Sequence, residues 1–165
     1  RGLLGADADI ESFLADVRER FRARLHDVRP STGLASLLEE LERLGIPRAV
    51  ATSSRRAYAL DLLERHRVIH LFSFVLTSED VTRGKPDPEV YQLAGTRFGL
   101  KPAELLVLED SVPGLAAARA SGAFAVGVPH EHSPADRLVD AHLVVPRLDD
   151  ERLLAILRRG QGEPG

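Results

Sequence analysis

The chain has 165 residues, enough for one domain with a substantial core. Its 22 Lys and Arg are scattered among 25 Asp and Glu, for a net charge of −3, so neither a nucleic acid nor an anionic membrane is an expected partner. The absence of cysteine excludes disulfides, thiolate metal sites and cysteine nucleophiles and fits a cytoplasmic protein, and no apolar run approaches the roughly 20 residues needed to span a bilayer.

Taken in chain order, Ile10, Phe13, Leu14, Val17, Phe21 and Leu25 recur at helical spacing and predict an amphipathic helix from Asp9 to His26, with Asp9 as its N-cap. Arg29-Pro30-Ser31-Thr32-Gly33 is a turn and a candidate hinge. A second amphipathic helix follows from Leu34 to Leu44 and stops at Gly45. The pattern then alternates. Strands are expected at Pro47–Thr52, Leu71–Leu76, Leu105–Leu108, Ala123–Val128 and His142–Val145. Helices are expected at Arg55–His66, Pro88–Phe98, Val112–Ser121 and Leu148–Arg158. The tail over 160–165 reads as disordered. Alternating strands and helices imply an α/β fold, a mainly parallel sheet with helices on both faces. Ligands gather at the carboxyl ends of such strands, so the residues just after each strand are the ones to inspect.

Three such places carry candidate chemistry. After the first strand, Thr52, Ser53 and Ser54 offer hydroxyls and backbone N–H groups to a phosphate, or simply cap the next helix. After the second, Lys85 sits in Arg83-Gly84-Lys85-Pro86-Asp87-Pro88-Glu89. The two prolines stiffen that loop, so Lys85 is either a fixed cation beside a phosphate or a solvated lysine on a surface turn. After the third, Glu109 and Asp110 place adjacent carboxylates at the end of a buried apolar strand. Such a pair calls for a positive partner, and a hard cation such as Mg²⁺ is the natural one. Asp110 or Ser111 can also cap the following helix. The histidines at 66, 70, 130, 132 and 142 lack the spacing of a metal cluster and read as surface or loop residues.

The ordered set A-V-A-T-S-S, G-K-P-D-P-E and V-L-E-D-S-V-P-G-L-A-A-A-R-A-S-G resembles the haloacid dehalogenase superfamily, in particular its branch of β-phosphoglucomutases and sugar-phosphate phosphatases. The resemblance runs from about Pro30 to Val128. It implies a Rossmann-like core and a Mg²⁺-dependent phosphohydrolase of small phosphorylated metabolites acting through an aspartyl-phosphate. It assigns Thr52 to the transferring phosphoryl group, Lys85 to that group and the nucleophile, and Glu109 and Asp110 to Mg²⁺, directly or through water. Residues 1–28 then resemble the end of a helical cap, and 29–159 the core.

The family's D-x-D-G-(T/V) motif, whose first aspartate is the nucleophile, has no counterpart with the right surroundings. Asp7-Ala8-Asp9 has the spacing, but Ile10 stands where glycine is required. The nucleophile's strand belongs between those ending at Thr52 and Asp110, so its loss should leave a gap or force the two strands together. The chain is therefore expected to be a fragment that is inactive by itself. Phosphoglucomutase-type transfer and a non-catalytic phosphate-binding fragment or pseudoenzyme are the alternatives.

Overall fold

The computed structural model describes Ser12 and residues 28–160. The Asp7-Ala8-Asp9 pair, the 161–165 tail and nearly all of the helix expected over 9–26 lie outside the described residues; Ser12 is helical. The chain separates into two compact units, Arg1–Pro30 and Ser31–Gly165.

The second unit begins with α1 (Leu34–Arg43) and β1 (Val50–Ala51), followed by α2 (Arg56–Arg65) and β2 (Val75–Leu76). Next come α3 (Glu89–Phe98), β3 (Leu106–Glu109), α4 (Val112–Ser121) and β4 (Phe124–Gly127). It closes with β5 (Leu143–Val144) and α5 (Glu151–Gly160). Local chemistry sets the boundaries. Ser111 caps α4 by accepting a bond from the Gly114 N–H at 3.1 Å. Gly122, at φ +90°, ends that helix in a left-handed conformation that suits glycine. α5 starts three residues later than the sequence suggests, because Asp150 is its cap: the Asp150 carboxylate accepts from the Arg152 N–H at 3.0 Å. The helix then runs on to Gly160, past the expected end at Arg158.

All strand pairs are parallel. They form two sheets, β1-β2 and β3-β4-β5, and among the described residues no ladder joins β1 to β3. Of the two arrangements the sequence allows, direct pairing of β1 with β3 is not seen among the described residues. β1 is shorter than the expected Pro47–Thr52, although its flanks still bond: Ser73 N–H to Arg48 O at 2.8 Å and Thr52 N–H to Leu76 O at 2.9 Å. The expected second strand, Leu71–Leu76, is shortened to β2: Leu71 ends a 3₁₀ turn, Ile69–Leu71, and residues 72–74 are outside the ladder.

Strand alternation splits β3 and β4 between two cores. Val107 and Ala125 join Tyr91 and Ala94 of α3 and Leu115 and Ala118 of α4. Leu106, Leu108 and Val126 join Leu37 and Leu41 of α1 and Leu153 and Leu157 of α5. Each fully buried leucine contributes about 1.5–3 kcal/mol. Helices thus cover both faces of the three-stranded sheet, and the strand ends are left open for chemistry. No helix of the described residues is long and apolar enough to cross a membrane.

Candidate active site

Thr52 directly follows β1. Its Oγ1 accepts a bond from the Ser54 N–H at 3.1 Å, a compact hydroxyl turn. One of the hydroxyl's two lone pairs is thereby used, and its proton remains to donate. Thr52 does not cap α2; the capping position is Arg55, whose side chain makes no capping bond. Ser53 and Ser54 are exposed on the same turn.

This turn is docked onto the loop after β2. Ser54 O accepts from the Ser78 N–H at 3.1 Å and from the Ser78 hydroxyl at 3.3 Å. The Arg56 N–H donates to the Glu79 carboxylate at 3.3 Å. Arg56 forks onto both oxygens of Asp80 at 2.7 and 2.6 Å. Asp80 also accepts from the Thr77 N–H and hydroxyl, each at 2.8 Å, and from Arg97 at 3.4 Å. Burial pushes the Asp80 carboxyl up, but the Thr77 bonds and the charges of Arg56 and Arg97 outweigh it and hold the carboxyl below its ordinary 3.8. Arg56 is thus committed to the scaffold.

Lys85 is no solvated surface lysine. Its side chain is only 10 % exposed and pairs with Glu109, itself 6 % exposed. The same ammonium donates to Ala51 O at 3.1 Å and stands 5.1 Å from the centre of the Tyr91 ring. Lys85 therefore bridges the ends of β1 and β3, across the gap between the sheets. Glu89 fixes the loop that carries it, accepting from the N–H groups of Thr82 at 2.8 Å and Arg83 at 2.9 Å. Those bonds, with the Arg83 charge, hold the Glu89 carboxyl below its ordinary value. The Lys85–Pro86 peptide is cis.

The two adjacent acids face different ways. Glu109 lies on the Val107 side of β3 and points into the core. There it accepts from Lys85, from the Tyr91 hydroxyl, and from the Ser111 hydroxyl at 3.0 Å. Burial first, and the Glu109 charge second, push the Tyr91 hydroxyl far up, so it stays a neutral donor. Gly114 of α4 leaves room for the carboxylate; a Cβ there would overlap its three terminal atoms. Asp110 points outward and is 68 % exposed. The cap of α4 is Ser111, which leaves Asp110 available.

His130, read as a loop residue, lies beside this acid. It follows β4, whose register with β3 is prolonged by a bond from the Val128 N–H to Glu109 O at 2.8 Å. Its Nε2 is 3.7 Å from an Asp110 oxygen. Tyr91, Asp80 and Glu89 also escape sequence reasoning. Tyr91 is hidden in the apolar stripe of α3, and Asp80 and Glu89 in polar turns.

Mg²⁺ is commonly held by one or two carboxylates, with water and phosphate oxygens completing an octahedron. Asp110 fits that role. Glu109 is turned to Lys85, Tyr91 and Ser111, and among the described residues no three His, Cys, Asp or Glu side chains converge on a common point. The donor set fits such a cation through Asp110, with phosphate and water supplying the remaining oxygens.

Residues 4–128 match the family of haloacid dehalogenase-like hydrolases. The chain belongs to that family. Validoxylamine A 7'-phosphate phosphatase of Streptomyces hygroscopicus subsp. limoneus is 35 % identical over 73 % of this chain and 56 % of its own length. β-Phosphoglucomutase of Bacillus subtilis is 31 % identical over 72 % of this chain and 50 % of its own. The chain thus spans about half the length of these curated relatives. A crystal structure of a haloacid dehalogenase-family hydrolase from Deinococcus radiodurans, with bound phosphate and sodium, superposes with a TM-score of 0.76 at 29 % identity, covering 90 % of this chain and 67 % of that one.

Proposed function

We propose that this chain is the phosphate-binding core of a Mg²⁺-dependent phosphohydrolase of small phosphorylated metabolites, working through an aspartyl-phosphate. Residues 1–28 are read as the remnant of its cap and 29–159 as its core. The observation that carries the reading is the placement of Lys85 between the ends of β1 and β3, buried and held by a fixed loop. A cation so placed has one evident use beyond its pairing with Glu109, namely to offset charge when a carboxylate attacks a phosphate.

The residues divide the work. Thr52 donates its remaining hydroxyl proton to a phosphoryl oxygen, with Ser53 and Ser54 flanking it. Lys85 faces the phosphoryl group and the attacking carboxylate. Asp110 holds the cation, and Glu109 keeps Lys85 in place from behind. When bound, Mg²⁺ supplies charge neutralisation at the phosphoryl oxygens. Asp7-Ala8-Asp9 is followed by Ile10 rather than glycine, so this chain by itself is expected to bind phosphate without turnover.

The test is hydrolysis of an aryl phosphate by the folded chain with Mg²⁺ and with chelator, beside calorimetric binding of inorganic phosphate. Binding lost on Thr52→Val, with no turnover, supports the reading. Phosphate binding indifferent to both Thr52→Val and Lys85→Met sinks it. Mg²⁺-dependent turnover lost on Asp110→Ala would mean that the chain carries its own nucleophile, and Asp7→Asn would then be the next variant. Phosphoglucomutase-type transfer is the second reading, favoured by the similarity to the Bacillus subtilis mutase; a phosphorylated hexose that isomerises without releasing phosphate would select it.

A further inference from the structure

His130 is tied into its loop by local hydrogen bonds. Its backbone exchanges two hydrogen bonds with Ser133, N–H to O at 3.1 Å and O from N–H at 3.0 Å. Its Nδ1 accepts a bond from the His132 backbone N–H at 3.2 Å. A ring nitrogen that accepts carries no proton, so the proton of the neutral ring sits on Nε2. That nitrogen faces the Asp110 carboxylate at 3.7 Å, and a shift of about 0.8 Å would make a hydrogen bond.

This tautomer separates two roles. An Nε2 that bears a proton has no lone pair for a metal ion, and the lone pair of Nδ1 is committed to His132. The ring is therefore placed as a donor to the carboxylate. At 44 % exposure for His130 and 68 % for Asp110, the pair adds little to stability. Its effect falls on orientation: a donor on one oxygen restricts rotation of the carboxylate and leaves the other oxygen toward a cation.

Resting on the reading of Asp110 as the cation's ligand, we infer that His130 is a positioning residue that orients Asp110 through Nε2–H. Partners of this kind around metal ligands typically alter affinity about 10–100-fold when removed. With the exposure seen here, the lower end applies, about tenfold for His130→Ala. His130→Gln places an amide N–H near the same point and should keep affinity within about threefold of the unaltered chain.

The experiment measures Mn²⁺, a cation with the same preference for carboxylate oxygen, by the loss of its free-ion EPR signal. The unaltered chain, His130→Ala, His130→Gln and Asp110→Ala are titrated with inorganic phosphate present, and metal-free thermal melts check that each is folded. The expected order of affinity is unaltered, then Gln, then Ala, with Asp110→Ala weakest. Equal affinity of His130→Ala and the unaltered chain overturns the inference alone. His130→Gln as weak as His130→Ala also overturns it, because the imidazole would then itself be a ligand. No Mn²⁺ binding, or binding indifferent to Asp110→Ala, overturns the cation reading and the inference together.

Discussion

The two sheets share an apolar core, which takes in Leu76 of β2 together with Val107 of β3, but they differ in what else fixes them. The three-stranded sheet is clamped between apolar cores, with Leu115 and Ala118 on one face and Leu153 and Leu157 on the other. The β1-β2 sheet, with two residues in each strand, has its loops fixed by polar bonds: Ser54 with Ser78, Arg56 with Asp80, Glu79 with the start of α2. Apolar burial is strong and non-directional, while hydrogen bonds are weaker and fix geometry. The larger sheet thus has apolar packing on both faces, from α3 and α4 on one side and α1 and α5 on the other. The loops that present Thr52 and Lys85 owe their placement to charges and hydroxyls.

That contrast can be broken at several points. The largest effect is expected from Lys85→Ala, which leaves Glu109 buried without its cation. It should cost about 3–5 kcal/mol in urea unfolding, and phosphate binding should vanish. A cost near zero would show that Glu109 does not depend on Lys85. Leu153→Ala should cost about 3 kcal/mol through the cavity alone, yet leave phosphate affinity unchanged in the folded protein. A large loss of affinity there would mean that the two regions are not separable.

Asp80→Asn should cost about 2 kcal/mol at neutral pH and weaken phosphate binding. The folded carboxyl titrates below its ordinary 3.8, so its contribution is full above that value and fades as pH falls through the folded pKa. The difference between Asp80→Asn and the unaltered chain should therefore shrink in melts taken below pH 3.8. A constant difference would assign the effect to packing. Smallest is Tyr91→Phe, about 1 kcal/mol for one hydrogen bond, accompanied by a measurable loss of phosphate affinity as Glu109 and Lys85 loosen.

Much of the fold is legible in the sequence because its signals are local. Ser111 and Gly122 bracket α4, and the observed helix has the expected bounds, Val112–Ser121. The start of α5 is misjudged because Leu148 fits the apolar period while Asp150 supplies the cap. β1 and β2 shrink because their strand character depends on a neighbour, and periodicity does not report neighbours. The places of Thr52, Lys85 and Asp110 at strand ends follow from the same local pattern. Strand alternation already separates Glu109 from Asp110, so the inward turn of one and outward turn of the other are implicit in the sequence. The partner of Glu109 on α3 and that of Asp110 after β4 are not. Tyr91 and His130 reach the acids only through helix packing and strand register, which no short motif encodes.

Gly114 gives the experimenter an unusual handle. A methyl group there occupies the space of the Glu109 carboxylate, and every ionisable and hydroxyl side chain of the site is retained in such a variant. Gly114→Ala is therefore a control of unaltered charge and nearly unaltered mass in which the Glu109 carboxylate must move. It distinguishes what the protein does by having these groups from what it does by holding them in place.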